Sequence, residues 1–155
     1  MQEYTIEQID IDEYYKCNNI WDMEKCPFTE KFKRQIRNSE RFVFIYKING
    51  EFIGEGNLVI NIDDSDYFIP NKRIYLSRMI VKKEHRNQGI GGIILEFLME
   101  KAKEMGYSEI ALGVDIDNHN AIHLYRKKGF NQTIAECEDE YGKFYKLLKT
   151  IKKEN

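Results

Sequence analysis

The chain has little that would staple or anchor it. Its 155 residues include three cysteines, two prolines and one tryptophan. Cys17, Cys26 and Cys137 are odd in number and lack metal-ligand spacing. A disulfide framework is therefore not expected, and reduced thiols are the default. No apolar run approaches the roughly 20 residues of a membrane span. The start, Met1-Gln2-Glu3-Tyr4, lacks the basic-then-apolar pattern of a signal peptide. The expected location is cytoplasmic, with no membrane partner. Neither sign of charge is in excess: 24 basic and 26 acidic side chains leave a net charge of −2. A chain that works on nucleic acid carries a clear basic excess, so nucleic acid is not an expected partner.

What is present suits a globular protein. Hydrophobic residues make up 42% and aromatics 13%, enough to bury a core, and no repeat or linker divides the chain. The expectation is one domain over residues 1–155. Tyr4–Ile9 reads as a strand and Ile11–Tyr15 as a helix start. Pro27 suits the first turn of a further helix, with Phe28, Phe32 and Ile36 on its apolar face. Asn49-Gly50 between two apolar runs predicts a tight hairpin, because both central residues of a type I′ turn need positive φ. Asp63–Asp66 forms an acidic loop, and Ile74–Val81 is a strand. Ile90, Ile93, Ile94, Phe97, Leu98, Ala102 and Met105 mark a helix ended by Gly106. Ile110–Ile116 is a strand, followed by a short helix from Asn118. Strands at 131–137 and 143–148 flank a polar hairpin, and 149–155 reads as a solvated tail.

Arg86-Asn87-Gln88-Gly89-Ile90-Gly91-Gly92 carries the most chemistry. A glycine-rich turn that opens a helix offers unpaired N–H groups and the positive end of the helix dipole, a ready site for phosphate oxygens. Arg86 can add a charge-assisted fork. A P-loop is excluded because no Lys-Ser or Lys-Thr follows. A dinucleotide fingerprint fails because Ile94 stands where the third glycine belongs, and Glu109 precedes its strand instead of ending it. Arg-x-x-Gly-x-Gly between strand and helix remains. A second cluster begins 29 residues after Gly89. There Asn118 is a good N-cap, Ala121, Ile122, Leu124 and Tyr125 form a short apolar face, and Gly129-Phe130 closes the helix.

The first segment resembles motif A of the GNAT superfamily of N-acetyltransferases. Asn118-x-x-Ala121-x-x-Leu124-Tyr125-x-x-x-Gly129-Phe130 resembles that family's second signature. The resemblance implies an α+β fold with a central mixed, largely antiparallel twisted sheet of about seven strands, flanked by helices. A splayed parallel pair within the sheet would hold coenzyme A. It further implies direct transfer of acetyl from acetyl-CoA to a primary amine of a small molecule or peptide, within a ternary complex and without a metal. Met79, Ile80 and Val81 would pair with the pantetheine arm, while Arg86, Asn87, Gln88, Gly89, Ile90, Gly91 and Gly92 would hold the diphosphate. Asn118 would contact the cofactor, and Tyr125 would be the general acid to the coenzyme A thiolate. Monomers and homodimers both suit the family.

The acceptor side is less legible. Glu55 is a candidate base, since a buried carboxylate can rise toward a neutral pKa. Tyr75 and Ser77 share a face with Met79 and Val81 by strand alternation, and Asp115 ends the next strand, so these three are substrate candidates. The acidic loops suggest a cationic amine. His119 and His123 lie four apart but lack a third ligand, and His85 stands alone, so all three read as solvated. The alternative function is a non-catalytic acyl-CoA-binding sensor that kept the fold and lost the chemistry.

Overall fold

The Asn49-Gly50 turn forms as the sequence predicts, with φ of +51° and +79°. It joins β2 (Arg41–Ile48) to β3 (Glu51–Val59). The computed structural model describes residues 3–151. Before the hairpin come β1 (Thr5–Ile9), a 3-10 helix (Ile11–Asn19) and α1 (Thr29–Arg37). After it come β4 (Arg73–Val81), a short 3-10 turn (Lys83–His85), α2 (Ile90–Glu104), β5 (Glu109–Asp115), α3 (His119–Lys127), β6 (Gln132–Asp139) and β7 (Gly142–Thr150).

The strands form one seven-stranded sheet in the order β1-β2-β3-β4-β5-β7-β6. The pairings β1–β2, β2–β3, β5–β7 and β6–β7 are antiparallel, whereas β4 and β5 run parallel. A strand–helix–strand connection through α2 is the usual way to make a parallel pair. The β4–β5 register covers the first four residues of each strand, from Arg73↔Glu109 to Leu76↔Leu112. This is the α+β architecture of the GNAT acyl-CoA N-acyltransferase fold.

The chain forms two compact units. The first takes the chain through Val59 and again over Arg78–Leu98. One of its cores joins Tyr14, Cys17, Trp21, Phe32, Val43, Ile45 and Phe52. In the same unit α2 lies tight on β3. A Cβ added at Gly54 would sit 2.7 Å from Ile94 Cδ1, and one at Gly56 would sit 2.7 Å from Ile94 Cγ2 and 2.8 Å from Leu98 Cδ1. Glycine in a strand interior weakens the strand, and here it serves close helix approach. The second unit takes Ile60–Ser77 and the chain from Met99 onward. It buries Ile74, Leu76, Ile110, Ala111, Leu112, Phe130, Leu147 and Leu148.

Four expectations change. The segment from Ile11 is a 3-10 helix, started by Asp10, whose Oδ1 accepts from Asp12 N at 3.0 Å. α1 begins at Thr29, two residues after Pro27, because the buried Thr29 Oγ1 turns inward to donate to Met23 O at 2.6 Å. Phe28 is therefore the N-cap, largely exposed, with its ring still tilted against Phe32 at 6.3 Å. Lys149 and Thr150 belong to β7, because Thr150 pairs with Glu109 of β5 and Lys149 Nζ donates to Lys128 O at 2.6 Å. Ile151 is buried, and residues 152–155 of the expected tail lie outside the described residues.

Candidate functional site

In the first unit the chain leaves β4, makes the Lys83–His85 turn and bends through Arg86–Gly89 into α2. Asn87 has φ of +64° and Gly89 of +83°. Asparagine and glycine are the residues that tolerate this left-handed region. Ile93 N donates to Gly89 O at 3.2 Å. The three helical residues before it, Ile90, Gly91 and Gly92, have N–H groups with no intrahelical acceptor.

Two glycines in the first turn are poor helix formers. Burial of Ile90, Ile94, Leu95 and Leu98 holds the helix instead. No acidic side chain occupies that turn, so nothing of α2 itself neutralises its positive end. A Cβ at Gly89 would meet nothing within 4 Å. Arg86 is exposed and anchored, its Nε donating to Val81 O at 2.9 Å. The loop thus presents main-chain N–H groups in open space, bordered by one tethered guanidinium. These features fit the diphosphate of coenzyme A.

Glu55 sits elsewhere in the same unit, on β3, and is completely enclosed. Its Oε1 accepts from Trp21 Nε1 at 2.8 Å and its Oε2 from Asn57 Nδ2 at 2.9 Å. Arg41 Nη1 donates to Asn57 Oδ1 at 2.6 Å. Sequence reading found Glu55 but missed Trp21, Asn57, Arg41 and Arg78 around it. The one available signal was the Gly54-Glu55-Gly56-Asn57 run, in which small residues alternate with polar ones inside a strand.

In the second unit Asn118 caps α3, its Oδ1 accepting from Ala121 N at 3.2 Å. Tyr125, about two helical turns after Asn118, is 8% exposed and packs edge-on against Phe130 at 5.8 Å. Burial pushes its phenol up to about 12, so it holds its proton throughout the neutral range. Asp115, at the end of β5, lines one cleft with Asp117, Asn118 and Tyr141. Tyr75 stacks on Tyr67 with centroids 4.1 Å apart. Ser77 is half-buried on β4. Lys146, which sequence reading missed, donates to Asp64 at 3.0 Å and Asp66 at 3.1 Å. Two carboxylates of the acidic loop thus already share an internal cation. Among the described residues no three His, Cys, Asp or Glu side chains gather as a metal site. None of the described helices is long and apolar enough to cross a membrane.

Comparison with known proteins agrees with this geometry. An N-alpha-acetyltransferase of Sulfurisphaera tokodaii is 28% identical over 153 residues, covering 90% of this chain and 91% of that protein. The ribosomal-protein-S18-alanine N-acetyltransferase of Escherichia coli superposes with a TM-score of 0.79 at 18% identity, covering 99% of this chain and 97% of that one. A GNAT family acetyltransferase of Elizabethkingia anophelis with acetyl-CoA bound gives 0.75 at 17% identity, covering 97% and 100%. Residues 4–130 match the model of the acetyltransferase (GNAT) family. With both signatures, the strand order and that match in place, the chain belongs to the GNAT family and is an N-acetyltransferase.

Proposed function

We propose that the chain transfers acetyl directly from acetyl-CoA to a primary amine of a small molecule or peptide, within a ternary complex. The observation that carries this reading is the uncompensated start of α2 at Gly89, with Arg86 beside it. Bound acetyl-CoA would supply an acetyl group already activated as a thioester. Main-chain N–H groups from Asn87 to Gly92 hold the diphosphate, and the backbone of Met79–Val81 orients the arm along β4. Asn118 is a further cofactor contact beside its capping role.

Tyr125 keeps its proton at Oη and donates it to the departing sulfur. Glu55 is the candidate base for the acceptor's ammonium. Because it is enclosed and bonded to Trp21 and Asn57, it takes that proton through an intervening water or neighbouring side chain. Tyr75, Ser77 and Asp115 border the acceptor. Residues 1–155 act as one catalytic domain, cytoplasmic, as a monomer or homodimer, with no metal.

Calorimetry with acetyl-CoA should give saturable binding. Tyr125→Phe should keep that binding and lose about 10²–10⁴-fold in thiol release with an accepted amine. Absence of binding, or binding without turnover across a broad amine panel, would refute this reading.

A further inference from the structure

The first unit gathers three charged side chains, Glu55, Arg41 and Arg78, around Trp21, Phe32 and Asn57. Glu55 is the one anion, and neutral donors, Trp21 and Asn57, hold its oxygens. Arg41 Nε donates to Gln35 Oε1 at 2.9 Å and its Nη1 to Asn57 Oδ1, with its guanidinium 4.0 Å over Phe32. Tyr14 and Cys17 are fully buried beside them. Burial, reinforced by Glu55, pushes both groups upward, so neither adds negative charge at neutral pH.

Arg78 is the cation left over. Its guanidinium lies 4.1 Å over the Trp21 ring and 5.7 Å from Phe32. Its Nε is shielded from solvent without a hydrogen-bond partner among the described residues, and no ion pair there includes it. Among the described residues, Tyr14 Oη is likewise shielded without a partner. Arg78 Nε can only donate, and the Tyr14 hydroxyl has a proton to give. Leaving a desolvated donor unmade costs more than a typical hydrogen bond contributes, and an unpaired guanidinium is the most demanding case. An acceptor-only anion is the chemical complement.

We propose that Arg78, seated on Trp21, binds an anionic group, a carboxylate or a phosphate, carried by the acceptor amine. This rests on the acetyltransferase reading above. Arg78 directly precedes Met79–Val81, the stretch assigned to the thioester arm, and alternation sends its side chain to the opposite face of β4 from Met79. Glu55, the candidate base, belongs to the same cluster as Arg78. An acceptor that offers its amine toward Glu55 and its anion to Arg78 is amino-acid-like, not a polyamine.

Trp21 is the sole tryptophan of the chain, so its emission reports directly on the cation above it. Titration with acetate, glycine and inorganic phosphate at constant ionic strength, with chloride as control, should change that emission saturably. Acetate and phosphate distinguish the two sources of anion. Arg78→Gln should weaken the response about 10- to 100-fold and leave acetyl-CoA affinity by calorimetry unchanged. It should also erase, through KM, the preference for an amino acid over its amide. Arg78→Lys, which keeps the charge without the fork, should respond more weakly than the parent, and thermal melts report whether either variant folds. An emission indifferent to all three anions, or an Arg78→Gln response equal to the parent's, overturns the proposal even if acetyl-CoA binds. Loss of acetyl-CoA binding in the parent, with the anion response intact, removes the acetyltransferase reading and the assignment of the anion to an amine acceptor.

Discussion

Glu55 on β3 and Lys146 on β7 are both charged side chains set into strands, and the chain treats them in opposite ways. Glu55 is surrounded by neutral donors, with Asn57 standing between it and Arg41. Lys146 meets two carboxylates directly and lies 4.8 Å from the centre of the Tyr67 ring. Direct pairing neutralises the one cation and leaves a carboxylate charge facing water. Insulation by amide and indole keeps the charges separate, and an uncompensated cation survives at Arg78. The difference teaches that accessibility to a ligand depends on who satisfies a buried charge as much as on where it lies.

The largest test of that contrast is Glu55→Ala. It strands Trp21 Nε1 and Asn57 Nδ2 and removes the carboxylate from the cluster that holds Arg78. Urea unfolding should show a loss of about 3–5 kcal/mol. A loss below about 1 kcal/mol, the scale of one ordinary hydrogen bond, would mean that the carboxylate is not what organises the cluster.

A second test uses Tyr125, whose folded pKa stands near 12 against an ordinary value of 10.0 because of burial. A raised pKa contributes stability that is fully present below pH 10 and lost as pH climbs toward 12. The parent should lose roughly 2–3 kcal/mol through this group across that window. Tyr125→Phe should remove that share of the alkaline loss. Equal pH slopes in parent and variant would show that Tyr125 is not held away from water.

The smallest expected effect is Lys146→Met. Asp64 and Asp66 keep 39% and 47% of their side-chain surface in water, so screening limits the loss to about 1 kcal/mol or less. If it matched Glu55→Ala, the contrast between the directly paired and the insulated cluster would fail.

Local chemistry was legible in the sequence. The Asn49-Gly50 turn, the Asn118 cap, the α2 stripe and the bend at Gly89 each depend on residues a few positions apart. The family signatures lie in such segments, and so the fold could be anticipated. The Glu55 cluster was not legible, because Trp21 reaches Glu55 across 34 positions and Arg41 reaches Asn57 across 16. Lys146 meets Asp64 across 82 positions, so an acidic loop that reads as waiting for an external amine turned out to share an internal one. Thr29 delayed the start of α1 by a bond to Met23 that no periodicity encodes.

Gly89 combines a positive φ with open space where a side chain would project. The restriction there is one of handedness, not of room. A D-alanine introduced by chemical ligation would suit the bend, whereas L-alanine would strain it by about 1–2 kcal/mol. Mirror-image chemistry could therefore stiffen the loop without crowding whatever settles on it.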